Sequence, residues 1–386
     1  MKTRLAVIFG SRACEHDVSI ISGLQALYAA DAQKYDAFPV YISREGEWFV
    51  GDALRKMEFY KKPDWGAVRR VFPAGKHGKL ALMDAQEHKG LFKKGEPDVM
   101  ADVVMPVLHG MNGEDGTLSG MMEMWGIPYT SSGVLGSSVG MDKIAMKQLF
   151  RGCGFPILDW LGVERNQWFE EREAILDRVE KALAYPVFVK PANLGSSIGI
   201  SKAEDRQALS DALDVASSYD RRLLVERGLT NFKEINCAAL GYANDIEVSA
   251  TEMPTSWEAF LSFDDKYLRG KGAKGMEALA RKSPAPVEPQ VEARVKELTR
   301  AVFSALDCKG VARVDFLLDE VSGELYVGEI NTIPGSLAFY LWEATGLKFG
   351  ALVDKMVEYA LRASQDKRQS VFSYDSSILQ RGTGKA

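Results

Sequence analysis

The chain has 386 residues, of which 46% are hydrophobic and 26% charged, and its formal net charge at pH 7 is -5. This length suffices for two or three domains with hydrophobic cores, and the slight acidity gives no electrostatic reason to expect nucleic acid or a membrane surface as a partner. The four cysteines are dispersed without a C-x-x-C pair, which indicates thiols in a reducing compartment rather than disulfides or a metal site. No apolar run has the length of a transmembrane helix, and we expect a cytoplasmic protein.

The first third of the chain alternates apolar runs with helical segments. Its predicted elements are a strand at 5–9, a helix near 18–30, strands at 37–42 and 101–108, a helix at 116–125 and a short strand at 127–130. This order of strands and helices indicates an α/β unit with a parallel sheet, ending near Ser131. The stretch 44–98 is charged and irregular, and we interpret it as an insertion in this unit.

Two further units follow, which we place at 132–227 and 228–363. The predicted elements of the second unit are a helix at 138–153, a strand at 156–160, a helix at 170–184, a hairpin at 187–200 and a strand at 222–226. Those of the third unit are strands near 234–240 and 246–250, a helix at 288–306, a hairpin at 312–330 and a helix at 349–362. The polar residues 364–386 have little periodicity and are predicted to be a disordered tail.

The hairpin at 187–200 carries the first candidate site. An apolar strand ends in Lys190, a loop with Gly195, Ser196 and Ser197 follows, and a second apolar run closes the hairpin. Exposed backbone N–H groups, two hydroxyls and an ammonium suit a polyphosphate, although no G-x-x-x-x-G-K-[ST] Walker loop occurs in the chain. Taken alone, the loop could also be an ordinary Gly-Ser hairpin tip.

The hairpin at 312–330 carries the second candidate site. Alternation places Arg313 and Asp315 on one face of its first strand, and Glu329 and Asn331 on one face of its second. A turn centred on Ser322 would set the two carboxylates opposite each other, which destabilises a sheet unless a cation lies between them. Two carboxylates and an amide oxygen are ligands that Mg²⁺ prefers, and an arginine suits a phosphate. The alternative is a charged hairpin face that points to solvent.

The segment 270–275 matches G-x-G-x-x-G, the pattern of dinucleotide-binding proteins. No apolar strand precedes it and no helical apolar run begins at its last glycine, so a dinucleotide site is excluded by the context. We interpret the segment as a mobile basic loop that could close over phosphates as a lid.

These motifs occur in the order that ATP-grasp ligases use: Lys143, then Lys190 with its loop, then Glu226, then the hairpin at 312–330. Among those enzymes the chain resembles the D-alanine–D-alanine ligases over about residues 4–362. Three further stretches carry this resemblance, namely 13–19 (Ala-Cys-Glu-His-Asp-Val-Ser), 108–116 (Leu-His-Gly to Gly-Glu-Asp-Gly) and 265–267 (Asp-Lys-Tyr).

The resemblance implies a three-domain ATP-grasp fold whose N-terminal domain has a Rossmann-like parallel sheet. It implies an enzyme that joins two D-alanines through an acylphosphate, giving D-alanyl-D-alanine, ADP and phosphate for peptidoglycan synthesis. The implied cofactors are ATP and two Mg²⁺ ions, which Mn²⁺ could replace. The expected partners are these small molecules, and we expect a homodimer that binds neither nucleic acid nor membrane.

The resemblance also implies a role for each matching residue. The ATP contacts are Lys143, Lys190, Ser196, Ser197, Glu226, Arg227, Leu229, Glu234 and Lys266, with Glu226 at the adenine amino group and Glu234 at the ribose. The metal ligands are Asp315, Glu329 and Asn331. The catalytic residues are Glu15, Ser196 and Tyr267, which link the first domain, the glycine-rich loop and the lid, together with Arg313 and the Gly335 N–H at the oxyanion. The substrate residues are Glu15 at the donor ammonium, His109 beside the donor, and Ser336 and Leu337 at the acceptor carboxylate.

Ordinary structural roles remain open for four of these residues. Lys143 could lie on a solvated helix face, Glu15 could cap a helix that begins near residue 18, His109 could be a core histidine, and Tyr267 could anchor a loop by packing.

The segment after Gly335 departs from the family pattern. The family has several residues between this glycine and its Ser-Leu pair, whereas Ser336 and Leu337 follow at once here. Either this is the pair after a deletion, or the second subsite is built differently. The acceptor could therefore be another D-amino acid, a 2-hydroxy acid or a larger amine, and a nucleotide-binding protein without activity is the alternative outside enzymes.

Overall fold

The computed structural model describes residues 2–85, 99–254 and 281–372. The helices in this part of the chain are α1 (His16–Ala29), α2 (Met57–Lys61), α3 (Thr117–Trp125), α4 (Val134–Met141), α5 (Lys143–Gly152), α6 (Arg165–Glu170), α7 (Arg172–Ala182), α8 (Arg206–Tyr219), α9 (Pro289–Ala305), α10 (Phe339–Glu343) and α11 (Phe349–Lys367). The strands are β1 (Thr3–Gly10), β2 (Tyr35–Ile42), β3 (Trp48–Val50), β4 (Arg69–Lys76), β5 (Lys79–Asp84), β6 (Val99–Ala101), β7 (Val103–Pro106), β8 (Trp160–Glu164), β9 (Val187–Pro191), β10 (Ser201–Ala203), β11 (Arg222–Arg227), β12 (Phe232–Tyr242), β13 (Asp245–Pro254), β14 (Arg281–Lys282), β15 (Gly310–Asp319) and β16 (Leu325–Asn331).

The first sheet has seven strands in the order β6-β5-β4-β3-β2-β1-β7. Strand β1 pairs in parallel with β2 and β7, and its nearly continuous burial fits its apolar sequence. The interpretation of 44–98 as an irregular insertion is wrong, because β3, β4 and β5 lie within it and extend the sheet by antiparallel pairing. Exposed arginine and lysine side chains along β4 hide the strand pattern in the sequence.

The second sheet has four strands in the order β10-β9-β11-β8. The predicted strand at 156–160 is wrong in position, since β8 begins at Trp160. The single helix predicted at 138–153 is divided into α4 and α5, because the Asp142 carboxylate accepts hydrogen bonds from the backbone N–H groups of Ile144 and Ala145 at the start of α5. The helix predicted at 170–184 corresponds to α7, and α6, which precedes it, was not predicted.

The third sheet has five strands in the order β14-β13-β12-β15-β16. On one of its faces Ile235, Cys237 and Ala239 pack in the core that includes α9. On the other face Ala238 and Leu240 pack in the core that includes α10 and α11. This second face carries polar side chains at the opposite end of β12, and the candidate site lies at that polar end.

The structure confirms the α/β class, and the three sheets follow one another along the chain. The boundaries at 131 and 227 stay predictions. The expectation of disorder is wrong for residues 364–367, because α11 continues to Lys367 and Tyr242 donates a hydrogen bond to Asp366 at 2.7 Å. Within the described ranges, no helix combines the length and apolarity needed to cross a membrane.

Candidate active site

Four polar side chains form a row across the third sheet, which we call the polar row: Glu252 on β13, Asn236 on β12, Asp315 on β15 and Glu329 on β16. Strand register sets Asn236 opposite both Glu252 and Asp315, and it sets Asp315 opposite Glu329. Paired residues of an antiparallel sheet share a face, so these side chains are neighbours. The register predicted for the hairpin, with Asp315 opposite Glu329, is confirmed.

Positive groups compensate the carboxylates at one end of the polar row. Arg313 donates from Nε and Nη2 to the two oxygens of Asp315 at 2.6 and 2.7 Å, and the Asn331 amide nitrogen donates to Asp315 at 2.9 Å. Burial raises the pKa of Asp315 although Arg313 opposes it, and Glu329 adds to the rise. Burial also favours a higher pKa for Glu329, but Lys143, Lys190 and Arg313 together bring that pKa below its usual value.

These residues fit the predicted metal site by the chemistry of their donors. Asp315, Glu329 and Asn331 offer carboxylate and amide oxygens, the hard ligands that Mg²⁺ takes together with water and phosphate oxygens. The repulsion between the facing carboxylates of Asp315 and Glu329 would be relieved by a cation. No group of three or more His, Cys, Asp or Glu side chains suited to a metal occurs among the described residues.

Three lysines gather next to this end of the polar row. Lys190 donates to Glu226 at 2.7 Å, and the other oxygen of Glu226 forms an ion pair with Lys147. Burial of Glu226 favours a higher pKa, but Lys147 and Lys190 outweigh it and lower that pKa to about 2. Lys143 lies 3.5 Å from Glu329. The site therefore holds fixed positive charge beside ionised carboxylates.

Lys147, whose side chain is buried with Glu226, is a site residue that was not predicted from the sequence. Lys147 could have been recognised from the sequence by its position four residues after Lys143, because this spacing places both lysines on one face of α5. Lys143 does not lie on a solvated face, because it is buried and its ammonium donates to the Leu194 carbonyl at 2.7 Å. Together the two residues direct the start of α5 towards the glycine-rich loop and the sheet.

Glu15 contacts the glycine-rich loop from the first domain. It occupies the N-cap position of α1, but its side chain makes no capping hydrogen bond. Instead the Ser196 hydroxyl donates to its carboxylate at 2.5 Å, and a Cβ added at Gly195 would lie 2.8 Å from the same carboxylate. Burial raises the pKa of Glu15, while Ser196 and Lys143 oppose the rise. The capping alternative therefore does not account for this side chain.

The loop around Ser196 has an unusual backbone. Ser196 and Ser197 both adopt left-handed conformations, with φ of 49° and 55°. Such conformations are uncommon outside glycine, and they concentrate at ligand-binding segments. Successive N–H groups in left-handed or mixed turns form concavities that suit anions.

His109 is buried, and both of its ring nitrogens have partners. Burial lowers the pKa of His109 to about 4, so the ring is neutral. Nδ1 lies 2.8 Å from the Ile333 carbonyl oxygen and must donate to it, so Nε2 accepts from the Ser22 hydroxyl at 2.8 Å. The Ser22 oxygen in turn accepts from the Ser336 N–H at 3.0 Å. These contacts fit the alternative of a satisfied core histidine, and they connect it to the segment after Gly335.

Glu114 is a second residue that the sequence analysis missed as a site residue. Its carboxylate accepts from the N–H of Gly110 at 2.9 Å and from the N–H of Ile333 at 3.0 Å. Burial raises the pKa of Glu114 to about 8, and Glu15 adds to the rise. Glu114 could have been recognised by its place in the Gly-Glu-Asp-Gly motif. This motif is part of the resemblance to the family, but no role was predicted for Glu114. The residue ties the loop after β7 to the turn after β16.

The segment from Gly335 to Ala338 forms a short 3₁₀ turn in which Ser336, Leu337 and Ala338 have φ of 53°, 53° and 50°. The Leu337 side chain lies in the hydrophobic core, and its N–H donates to the Pro334 carbonyl at 2.7 Å. Ser336 is buried next to Ser22. The structure thus brings Ser336 close to His109 but directs Leu337 into the core.

The remaining predicted ATP contacts lie around the same site. Arg227 and Leu229 follow Glu226 at the end of β11, and Leu229 is buried. Glu234 lies on β12 two residues before Asn236; burial raises the pKa of Glu234 to about 7, and Asp315 adds to the rise. Lys266, Tyr267 and the lid segment lie outside the described residues.

Two family models match the chain nearly end to end. The model described as "D-ala D-ala ligase N-terminus" matches residues 4–132, and the model described as "D-ala D-ala ligase C-terminus" matches residues 149–358. A D-alanine–D-alanine ligase of Thermosipho melanesiensis is 37% identical over 381 residues, covering 99% of each chain. One of Heliobacterium modesticaldum is 40% identical and covers 96% of this chain and 98% of its own.

Solved structures give the same result. The D-alanine–D-alanine ligase of Coxiella burnetii has a TM-score of 0.77 and 26% identity, covering 95% of this chain and 98% of its own. The VanG D-Ala:D-Ser ligase of Enterococcus faecalis has a TM-score of 0.74 and 27% identity, covering 93% of this chain and 100% of its own. These similarities confirm the expected ATP-grasp fold.

Proposed function

The chain belongs to the D-alanine–D-alanine ligase family and is an ATP-dependent ligase, and we propose that it joins two D-alanines at the polar row and the loops that face it. The product, D-alanyl-D-alanine, is a precursor of peptidoglycan. The observation that carries the activity is the match of both family models and of relatives at 37–40% identity over almost the whole chain.

The proposed site suits the reaction for a physical reason. A carboxylate is a poor electrophile because its oxygen is a poor leaving group, so transfer of the γ-phosphoryl group of ATP must first convert it to an acylphosphate. Phosphoryl transfer needs positioning and neutralisation of charge more than acid–base groups. Lys143, Lys190 and Arg313 supply fixed positive charge within one site, and Ser196 and Ser197 supply hydroxyls and N–H groups in the loop beside them.

The family implies ATP and a divalent metal. We propose Asp315, Glu329 and Asn331 as the residues that would hold Mg²⁺, which would supply positive charge to the phosphates. The number of Mg²⁺ ions, two, stays a prediction. Glu226 is proposed to face the adenine, supported by its position at the end of β11 beside Lys190. Glu234, Arg227 and Leu229 stay predicted nucleotide contacts.

Glu15 and Ser196 are proposed to position the donor. The carboxylate of Glu15 lies beside the glycine-rich loop and can pair with the donor ammonium. The Ser196 hydroxyl holds this carboxylate in place by donating a hydrogen bond to it. Arg313 and the Gly335 N–H are proposed to stabilise the oxyanion when the amine attacks the acylphosphate. The roles of Lys266 and Tyr267, and the homodimer, stay predictions.

The activity is tested by measuring ADP release with ATP, Mg²⁺ and D-alanine, and by mass spectrometry of the product. We expect D-alanyl-D-alanine, with one ADP per dipeptide. D-serine and D-lactate are supplied as competing acceptors in parallel reactions. An enzyme that releases no ADP with D-alanine, or that forms a mixed product in preference to the dipeptide, would contradict the proposed reaction or its acceptor.

A further inference from the structure

The polar row continues beyond Glu252 to two residues that no assigned role uses, Arg281 and Tyr340. Arg281 lies on β14 opposite Pro254, next to the end of β13 that carries Glu252. Its guanidinium carbon is 3.9 Å from the centre of the Tyr340 ring, and its Nη1 is 3.5 Å from Glu252. The Asn236 amide donates to Glu252 at 3.3 Å. The row therefore runs from the proposed metal ligands at one end to a stacked arginine at the other.

The acceptor amino acid brings a carboxylate that the reaction leaves unchanged. Its amine attacks the acylphosphate, so the carboxylate must lie beside the reacting centre and keep its charge there. A charge removed from water needs a partner of opposite charge or several hydrogen-bond donors. The site must supply such a partner near Arg313.

The backbone N–H groups of Ser336 and Leu337 already have acceptors and do not serve this purpose. The Ser336 N–H donates to Ser22 and the Leu337 N–H donates to the Pro334 carbonyl. Leu337 also has its side chain in the hydrophobic core. The Ser336 hydroxyl by itself could donate one hydrogen bond to a carboxylate, which would leave the charge without a cation.

The other cations among the described residues of the site already have partners, including Lys143, which lies 3.5 Å from Glu329. Arg313 uses two of its nitrogens on Asp315, and Lys147 and Lys190 pair with Glu226. Among the described residues, Arg281 has one ion-pair contact, with Glu252 at 3.5 Å, which is close to the limit for a hydrogen bond. A guanidinium carries five N–H donors in one plane, so donors remain for a ligand, and stacking on Tyr340 fixes the orientation of that plane.

We propose that Arg281, oriented by Tyr340, binds the carboxylate of the acceptor, in place of the Ser-Leu pair that other members of the family use. This inference rests on the proposed ligation of two D-alanines. Arginine is the side chain that matches a carboxylate with two parallel hydrogen bonds. Burial raises the pKa of Tyr340 to about 12, so its hydroxyl stays protonated and can serve as an additional donor. The acceptor must then carry a carboxylate, which excludes simple amines.

A competition between two acceptors tests the proposal. The reaction contains ATP, Mg²⁺, D-alanine and D-alaninamide, whose amine is retained but whose carboxylate is replaced by a neutral amide. Mass spectrometry gives the ratio of D-alanyl-D-alanine to D-alanyl-D-alaninamide. Because both products share the donor and the phosphoryl-transfer step, the ratio reports selection at the acceptor site alone.

We expect the natural enzyme to favour D-alanine, and Arg281→Gln to reduce this preference about 10- to 100-fold, the range for a charge-assisted hydrogen bond. Arg281→Lys keeps the positive charge but lacks the planar pair of N–H donors, so its preference for D-alanine should lie between those of the natural enzyme and Arg281→Gln. Lys282→Gln is the matched control, since Lys282 is the exposed neighbour on the same strand and should leave the ratio unchanged.

The outcomes distinguish a failure of the proposed ligation from a failure of the proposed role of Arg281. If the natural enzyme forms neither product, the proposed function fails. If it forms the dipeptide but both Arg281→Gln and Arg281→Lys keep the product ratio of the natural enzyme, the carboxylate is bound elsewhere and the inference is overturned. Equal loss of both products would likewise overturn it, because Arg281 would then act on a step that both acceptors share.

Discussion

The site is built from two regions that neutralise their buried polar groups in different ways. In the sheet region, at the polar row and the lysines beside it, charges compensate charges: Arg313 pairs with Asp315, and Lys147 and Lys190 pair with Glu226. In the loop region, around His109 and Glu114, backbone groups compensate the side chains, since Ile333 contributes its carbonyl to one and its N–H to the other.

This difference determines how each region should respond to substitution. A charge that loses its partner in a buried ion pair remains without compensation, so changes in the sheet region should have large effects. A side chain held by backbone groups loses one or two neutral or charge-assisted hydrogen bonds, so changes in the loop region should have smaller effects. The following predictions test this contrast, in order of decreasing effect.

The largest effect is expected for the facing carboxylates. Asp315→Asn or Glu329→Gln should lower turnover by about 100-fold or more, because each removes a ligand charge at the phosphates. The fold should be retained in Glu329→Gln, since that change relieves repulsion across the hairpin. Asp315→Asn should also lower the melting temperature, because it removes the carboxylate charge that Arg313 pairs with. ADP release and thermal melting measure the two quantities, and Glu324→Gln on the exposed turn of the same hairpin is the control. Near-normal ADP release in either variant would show that the metal assignment is wrong.

The next effect is on the stability of the folded chain, through the buried ion pair of Lys147 and Glu226. Lys147→Met should lower the free energy of unfolding by about 3–5 kcal/mol, because it leaves the buried Glu226 carboxylate with one lysine instead of two. Lys202→Met is the matched control, since Lys202 pairs with Glu204 on the surface, and exposed pairs contribute about 0–1 kcal/mol. Urea denaturation measures both. Equal losses in the two variants would mean that the contrast between buried and exposed charge does not hold here.

The loop region should show a pH effect through His109. Its pKa is about 4 in the folded chain and 6.5 as the ordinary value, so the folded state binds fewer protons between these limits. The stability that follows is present above pH 6.5 and is lost as pH falls towards 4, by about 3 kcal/mol at most. His109→Gln should remove this part of the pH dependence of unfolding. An unchanged slope between pH 6.5 and 4 would contradict a neutral buried histidine.

The smallest effect is expected at Glu15, where the two regions meet. Glu15→Gln should raise the donor KM about 10- to 100-fold, because it removes a charge-assisted contact with the donor ammonium, and it should leave the KM for ATP nearly unchanged. Melting should change little, since the side chain makes no helix-capping hydrogen bond. A lower melting temperature with unchanged kinetics would indicate a structural role and would place the donor elsewhere.

Much of the sheet region could be predicted from the sequence because its information is local. Strand periodicity and a turn centred on Ser322 predict Asp315 opposite Glu329, and this pairing is confirmed, although a register shift next to Asp315 changes the pairs nearer the turn by one residue. The order of the motifs likewise identified the family and the fold. The strands within 44–98 were missed for a local reason as well, because exposed charges on β4 obscure the alternation.

The sequence by itself determined the α/β class, the register of the hairpin and the family. Only the tertiary structure decided that Glu15 contacts Ser196, that Glu114 bridges Gly110 and Ile333, and that Lys147 pairs with Glu226. Apart from the local hydrogen bond between Gly110 and Glu114, these contacts join residues on different elements, some of them more than a hundred positions apart. No strand or helix periodicity encodes these distant contacts, because they depend on how the sheets and loops pack against one another.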